Sequence, residues 1–211
     1  PTEADLRAMY ADAVQFSDDT YSSPERIEAM LRYYGQCLDQ LGMMPADGGA
    51  SLEVGAGRAW VSRAIKARNP GILTVAQDVT AECAGECPWV DDYVVGVVGN
   101  LDRARPFELI SLTHVIEHLV DPQSMLRELA ARLAPGGRIF VTAPFRPSGW
   151  SAGDGIAKWL EYPYLHVPAH VSYLSRAWFD LAAEAAGLVL THWDAGHEDG
   201  QAFEALLVRV A

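Results

Sequence analysis

Three groups of residues in this 211-residue chain have types and spacings suited to chemistry. In Glu53-Val54-Gly55-Ala56-Gly57, an acid ends an apolar run and two glycines follow it. Gly55 can take positive φ in a tight turn, and Gly57 puts no Cβ between the backbone and a ligand. A third glycine at dinucleotide-binding spacing would fall at Trp60, whose bulk keeps a pyrophosphate away. The turn therefore suits a nucleoside-bearing ligand without a pyrophosphate and disfavours a nicotinamide-dependent oxidoreductase. The next apolar run ends in a second acid, Asp78, which could serve a ligand or cap a helix, a role open also to Thr80. The third group is the histidines: His114, His118, His166, His170, His192 and His197. Imidazole titrates near neutral pH and is the natural base for removing a hydroxyl proton.

His114, Glu117 and His118 also spell His-x-x-Glu-His, the inverted zinc-protease pattern, and on a helix they would share one face. No third ligand is apparent, so neither protease activity nor a metal is expected. His166 and His170 lie in the segment from Pro144 to Tyr173, with Pro144, Pro147, Pro163, Pro168, Trp150, Trp159, Tyr162 and Tyr164. An irregular insertion of roughly 30 residues after a strand is commonly functional, and its aromatic rings suit an apolar or ring-shaped molecule. The competing reading is that these rings only anchor the loop.

Periodicity supplies the elements that must position these groups. Leu6, Met9, Tyr10 and Ala13, then Ile27, Met30, Leu31, Tyr34 and Leu38, recur at helical steps, and Ser22-Ser23-Pro24-Glu25 marks a helix start between them. After the turn-rich Pro45–Gly49 the pattern alternates: strand 51–54, helix 58–68, strand 72–77, short helix 80–85, strand 93–97, strand 108–112, helix 122–133 and strand 137–143. Helix 175–186 then ends at Gly187, before strands 188–193 and 202–210. Such alternation builds a doubly wound, mostly parallel sheet with helices on both faces. The expected fold is α/β and Rossmann-like, with seven strands; an antiparallel strand near the C-terminus and a cap role for the N-terminal helices are implied by the family that these motifs resemble. One domain is expected over 1–211: cap helices at 1–45, a ligand-binding core at 50–145, a lid at 146–173, and a closing helix and hairpin at 174–211.

Composition narrows the partners. A net charge of −12 and a pI near 4.8 argue against nucleic acid. No stretch reaches the roughly 18 to 20 apolar residues of a membrane span, and no signal peptide opens the chain, so a cytoplasmic protein is expected. Pro1 in place of an initiator methionine implies processing or trimming. Cys37, Cys83 and Cys87 lack paired Cys-x-x-Cys units and are expected as free thiols. Assembly as a homodimer is compatible with the sequence.

On the motif Glu53 to Gly57 the chain resembles the class I S-adenosylmethionine-dependent methyltransferases. The likeness continues through Val75-Ala76-Gln77-Asp78-Val79, Leu112 to Leu119 and Leu133 to Val141, four blocks in family order over roughly residues 50 to 145. The resemblance implies S-adenosylmethionine as cofactor, held by Glu53, Gly55, Ala56, Gly57, Asp78, Val79, Asn100, Thr113 and His114. Asp78 would accept from the ribose hydroxyls and Glu53 would sit near the methionine amino end. Asn100 stands in for the acid that the family often carries after its third strand, and its amide could still pair with the adenine edge. N-terminal helices cover the cleft in this family, which makes Tyr10, Phe16, Tyr21, Tyr33 and Tyr34 candidate acceptor contacts, although core packing is the competing reading. The implied activity is methyl transfer to a small-molecule acceptor, most readily at oxygen, with His114, His118 and His170 as candidate catalytic residues. The alternatives are N- or C-methylation of a similar molecule and a catalytically silent methyltransferase-like binding domain.

Overall fold

Ser23 opens the first helix of the computed structural model, which describes residues 23–102, 104–167, 169–196 and 200–210. The serine Oγ accepts from Arg26 N at 3.2 Å, with Pro24 in the first turn, as the sequence predicts for α1 (Pro24–Gln40). The helix expected before it, with Tyr10, Phe16 and Tyr21, lies outside the described residues, as does His197.

The alternating runs form β1 (Ala50–Val54), α2 (Trp60–Arg68), β2 (Leu73–Asp78), β3 (Asp92–Val95), β4 (Phe107–Thr113), α3 (Pro122–Ala130), β5 (Leu133–Pro144), α4 (Ala157–Leu160), α5 (Arg176–Ala185), β6 (Leu188–Gly196) and β7 (Ala202–Arg209). The strands make one seven-stranded sheet in the order β3-β2-β1-β4-β5-β7-β6. β1 to β5 pair in parallel, and β7 runs antiparallel to both β5 and β6. Strand side chains alternate between two cores. Ile110, Leu112, Ile139, Val141, Phe203, Ala205 and Leu207 meet Leu126, Leu129 and Phe179 on one face. Leu109, Phe140 and Leu206 meet Tyr34, Leu38, Ala64 and Ile65 on the other. Strand order reverses between β1 and β4, which places the turns after these strands side by side at the carboxyl edge.

Most element boundaries fall within a residue or two of expectation, and the departures have local causes. α2 starts at Trp60 rather than residue 58, because Ala59 adopts left-handed φ of 50°. The short helix expected at 80–85 is a single 3₁₀ turn at Ala84–Glu86, since one turn cannot repay helix nucleation. β3 stops at Val95, before Gly96 at φ 128°. α3 ends at Ala130 and β5 begins at Leu133, which pairs with Phe107. A register shift then carries Ala134 to Gly137 past the ladder, with Gly136 at φ 71°. α1 lies against α2 and the sheet face. Tyr34 is buried there, and Tyr33 donates to Glu204 Oε1 at 2.7 Å, so both serve packing. Among the described residues no helix is long and apolar enough to cross a membrane.

Candidate active site

The glycine turn after β1 is held from three directions. Gly55 has φ 59°, and a Cβ there would stand 2.5 Å from Val115 Cγ2 in the turn after β4, so glycine is required on both conformational and steric grounds. Asp78 reaches back from the end of β2: Oδ2 accepts from Gly57 N at 2.8 Å and Oδ1 from Thr80 N at 3.1 Å. Tyr93 Oη donates to Gly57 O at 3.0 Å, and Trp89 Nε1 to Ala59 O at 3.0 Å. These last two contacts were not legible in the sequence, because Trp89 and Tyr93 are some 30 residues beyond the turn, one in a loop and one in β3.

Glu53 is 1% exposed and caps α2 from below. Its carboxylate accepts from Val61 N at 3.2 Å, Ser62 N at 2.8 Å and Ser62 Oγ at 2.8 Å, which replaces the side-chain cap that Ala59 cannot supply. Burial pushes its carboxyl up to about 7 against the opposing pull of these donors. Beyond Asp78, Val79 is 48% exposed, an apolar side chain at the mouth of the turn. Asn100 lies in the 3₁₀ turn Val98–Asn100 with its amide directly against Gly96, and Gln77 Nε2 donates to Gly96 O at 2.5 Å. Ala56 is buried, and its N–H donates to Gln77 O at 3.0 Å. Glu53, Gly55, Ala56, Gly57, Asp78, Val79 and Asn100 thus lie at or just after the carboxyl ends of β1, β2 and β3. Cys83 and Cys87 are buried as free thiols, and burial pushes the Cys87 thiol up to about 12.

Across the switch point β4 ends at Thr113, and His114 follows in the left-handed region at φ 55°. A non-glycine residue held there marks stored strain of the kind that gathers at functional sites. His114, Glu117 and His118 do not share an α-helix face: Glu117 and His118 belong to the 3₁₀ turn Ile116–His118, and His114 precedes it. Glu117 is nevertheless central. It is 1% exposed, with His114 Nδ1 3.6 Å and His118 Nε2 3.8 Å from Oε1. The sequence did not reveal that His170 joins Glu117 and His118, one nitrogen or oxygen atom of each lying within 4.8 Å of the others.

The segment after β5 delivers His170. Its chain is pinned to the 3₁₀ turn where Val171 N and Ser172 N donate to Glu117 O at 2.9 and 3.2 Å. Nδ1 of His170 lies 2.7 Å from Tyr164 O, and Nδ1 of His118 lies 3.0 Å from Ala169 O. A carbonyl only accepts, so both Nδ1 atoms carry hydrogen and Nε2 is the basic nitrogen of each ring. Burial, followed by the charge of His118, holds the His170 imidazole below its ordinary pKa and favours the neutral base. Tyr164 stacks on His114 at 6.1 Å, and Tyr173 Oη donates to Tyr164 O at 2.7 Å. Tyr173 also borders an open apolar cavity of about 410 Å³ with Trp150, Ile156, Trp159 and Leu165. His166 is exposed, its ring 5.0 Å from His170. His192 faces Glu204 on β6, away from the cluster. A second cavity of about 400 Å³, lined by Asp180, Glu184 and Leu188, opens where β6 begins and is remote from these groups.

A family model described as a methyltransferase domain matches residues 26–192. The chain belongs to the class I S-adenosylmethionine-dependent methyltransferases. Among solved structures, this methyltransferase is similar to an amino-pentose methyltransferase from Micromonospora echinaspora, solved with S-adenosylmethionine bound. The two are 14% identical with a TM-score of 0.66, over 94% of this chain and 100% of that one. The magnesium protoporphyrin IX methyltransferase of Synechocystis PCC 6803 is 14% identical with a TM-score of 0.63, over 98% and 94% of the two chains. A methyltransferase structure from Bacillus halodurans C-125 is 17% identical with a TM-score of 0.62, over 84% and 99%. At these identities the likeness is one of fold. None of the curated proteins matches the chain. S-adenosylmethionine is the cofactor of this family, and the end of β2 offers it exposed apolar Val79 next to the Asp78 carboxylate, which accepts from Gly57 N and Thr80 N.

Proposed function

We propose that this methyltransferase transfers the methyl group to oxygen on a small, ring-bearing acceptor held beneath the segment after β5. The observation that carries this reading is the convergence of His114, His118 and His170 on Glu117 at the carboxyl end of β4, bordered by the apolar cavity. Displacement at a sulfonium needs the acceptor lone pair held in line with the methyl carbon, and a hydroxyl must also give up its proton. Two of these imidazoles have Nδ1 committed to backbone carbonyls, so Nε2 of His118 and His170 is basic and fixed in direction. The aromatic contacts Trp150–Trp159 and Trp159–Tyr173, with centroids at 5.7 and 4.9 Å, give the cavity walls suited to a ring.

On the donor side Asp78 receives the ribose hydroxyls, Val79 flanks the adenine, the amide of Asn100 pairs with its edge, and the backbone at Gly55, Ala56, Gly57, Thr113 and His114 borders the methionine part. Glu53 acts chiefly by holding the N-terminus of α2.

The test is methylation of a panel of phenols, sugars and amines, followed by release of S-adenosylhomocysteine. The expected products carry methyl on oxygen, with His170→Ala slowing turnover about 100-fold or more while S-adenosylmethionine still binds. Products methylated only on nitrogen or carbon, or a near-normal rate in His170→Ala, would overturn the reading.

A further inference from the structure

We propose that Glu117, His118 and His170 bind a divalent transition-metal ion. The Glu117 side chain is buried, and among the described residues neither of its oxygens has a hydrogen-bond partner, a costly state for a buried polar group. The neighbouring imidazoles do not relieve it. His114 Nδ1 and His118 Nε2 stand 3.6 and 3.8 Å from Oε1, beyond hydrogen-bond length. A cation at the centre of the cluster would satisfy the carboxylate.

The histidines have the arrangement that ligating imidazoles use. Each donates Nδ1–H to a backbone carbonyl, Ala169 O for His118 and Tyr164 O for His170, which fixes the tautomer and leaves Nε2 as the ligand. The three ligand atoms lie within 4.8 Å of one another. Bonds of about 2.0 Å to a tetrahedral ion separate ligands by about 3.3 Å, so the cluster must close by roughly 1.5 Å at its widest. A 3₁₀ turn and an irregular segment carry these ligands, and such elements can yield that distance. Two imidazoles and one carboxylate favour zinc, cobalt, manganese or ferrous iron over the oxygen-preferring magnesium and calcium. Three protein ligands leave positions for water or an acceptor oxygen. A hydroxyl bound there would give up its proton to water more readily, so that in the metal-loaded chain the ion would take the place of the His118 and His170 bases, whose Nε2 atoms would be its ligands. The site is argued from the cluster alone and does not depend on which atom of the acceptor is methylated.

The test uses the full chain stripped of metal by chelator and titrated with Co²⁺ and then Zn²⁺, without methyl donor or acceptor. We expect one ion per chain, an intense visible Co²⁺ spectrum that Zn²⁺ abolishes, and a rise in Tm on binding. His170→Ala and Glu117→Gln should each weaken Zn²⁺ binding by about 100-fold or more, as His192→Ala does not. Should Glu117→Gln fail to fold, His118→Ala and His170→Ala decide the matter. Absence of saturable binding to the wild-type chain, unchanged affinity in His170→Ala, or loss of affinity in His192→Ala would each overturn the proposal. Because no methyl transfer is measured, failure here leaves the acceptor reading standing.

Discussion

The donor region and the histidine cluster lie on opposite sides of one switch point, yet they are built on different principles. In the donor region the carboxylates of Glu53 and Asp78 accept hydrogen bonds at both oxygens, and Trp89 and Tyr93 tie down the carbonyls of the turn. In the cluster Glu117 has no hydrogen-bond donor among the described residues, while imidazole rings meet at 4.7 Å for His118 and His170 and at 5.0 Å for His166 and His170. The first is a finished cradle whose shape precedes its ligand. The second is a set of bases and an acid that is completed by whatever binds. On the proposed reading, a fixed site suits a methyl donor common to the family, and the irregular segment is where acceptors would differ.

Substitutions at the turn itself should break this contrast most severely. Gly55→Ala combines a left-handed φ with a Cβ set against Val115, so it should cost about 2 to 4 kcal/mol of stability and abolish tight binding of S-adenosylmethionine. Adding Val115→Ala should recover the steric part but not the conformational part, as denaturant titration of the two variants would show. Recovery of full stability would mean that φ at Gly55 is unimportant.

Next in size is a paired comparison. Asp78→Ala should weaken S-adenosylmethionine by about 1 to 3 kcal/mol in calorimetry, from lost hydrogen bonds to the ligand and to Gly57 N. Trp159→Ala should leave that affinity unchanged and raise KM for the acceptor. If Trp159→Ala also weakened the donor, the two halves would be one site rather than two.

The smallest effect is a pH dependence confined to the donor side. Burial lifts the Glu53 carboxyl to about 7 from its ordinary 4.5, so the folded chain holds this proton more tightly than the unfolded chain does. The contribution to stability is complete below about 4.5 and is lost as pH rises through about 7. Between pH 5 and pH 6 the wild type should therefore lose about 1 kcal/mol relative to Glu53→Gln, measured by urea unfolding. Parallel pH profiles would show that the three donors, rather than burial, control this carboxylate.

Legibility from sequence follows the range of the interactions involved. The succession of strands and helices along the chain, the two acids at strand ends and the serine that caps α1 depend on neighbours a few residues away or on the alternation of apolar positions, and these were readable. α2 starts late because Ala59 is left-handed, and its first-turn N–H groups at Val61 and Ser62 then find their acceptors on Glu53 in the preceding strand. Tyr33 and Tyr34, open in the sequence to contact with an acceptor, are committed to packing by the path of α1 over the sheet.

By itself the sequence determined a Rossmann-like sheet, a glycine turn after its first strand, and a histidine- and aromatic-rich segment after its fifth. Only the tertiary structure decided that His170 meets Glu117 and His118, that backbone carbonyls set the tautomers of two imidazoles, and that the carboxyl group between them has no donor among the described residues. The reason is physical. A turn or strand end declares itself through conformational preferences carried by adjacent residues, whereas a cluster drawn from a strand terminus and an irregular segment depends on a chain path that has no periodicity to read.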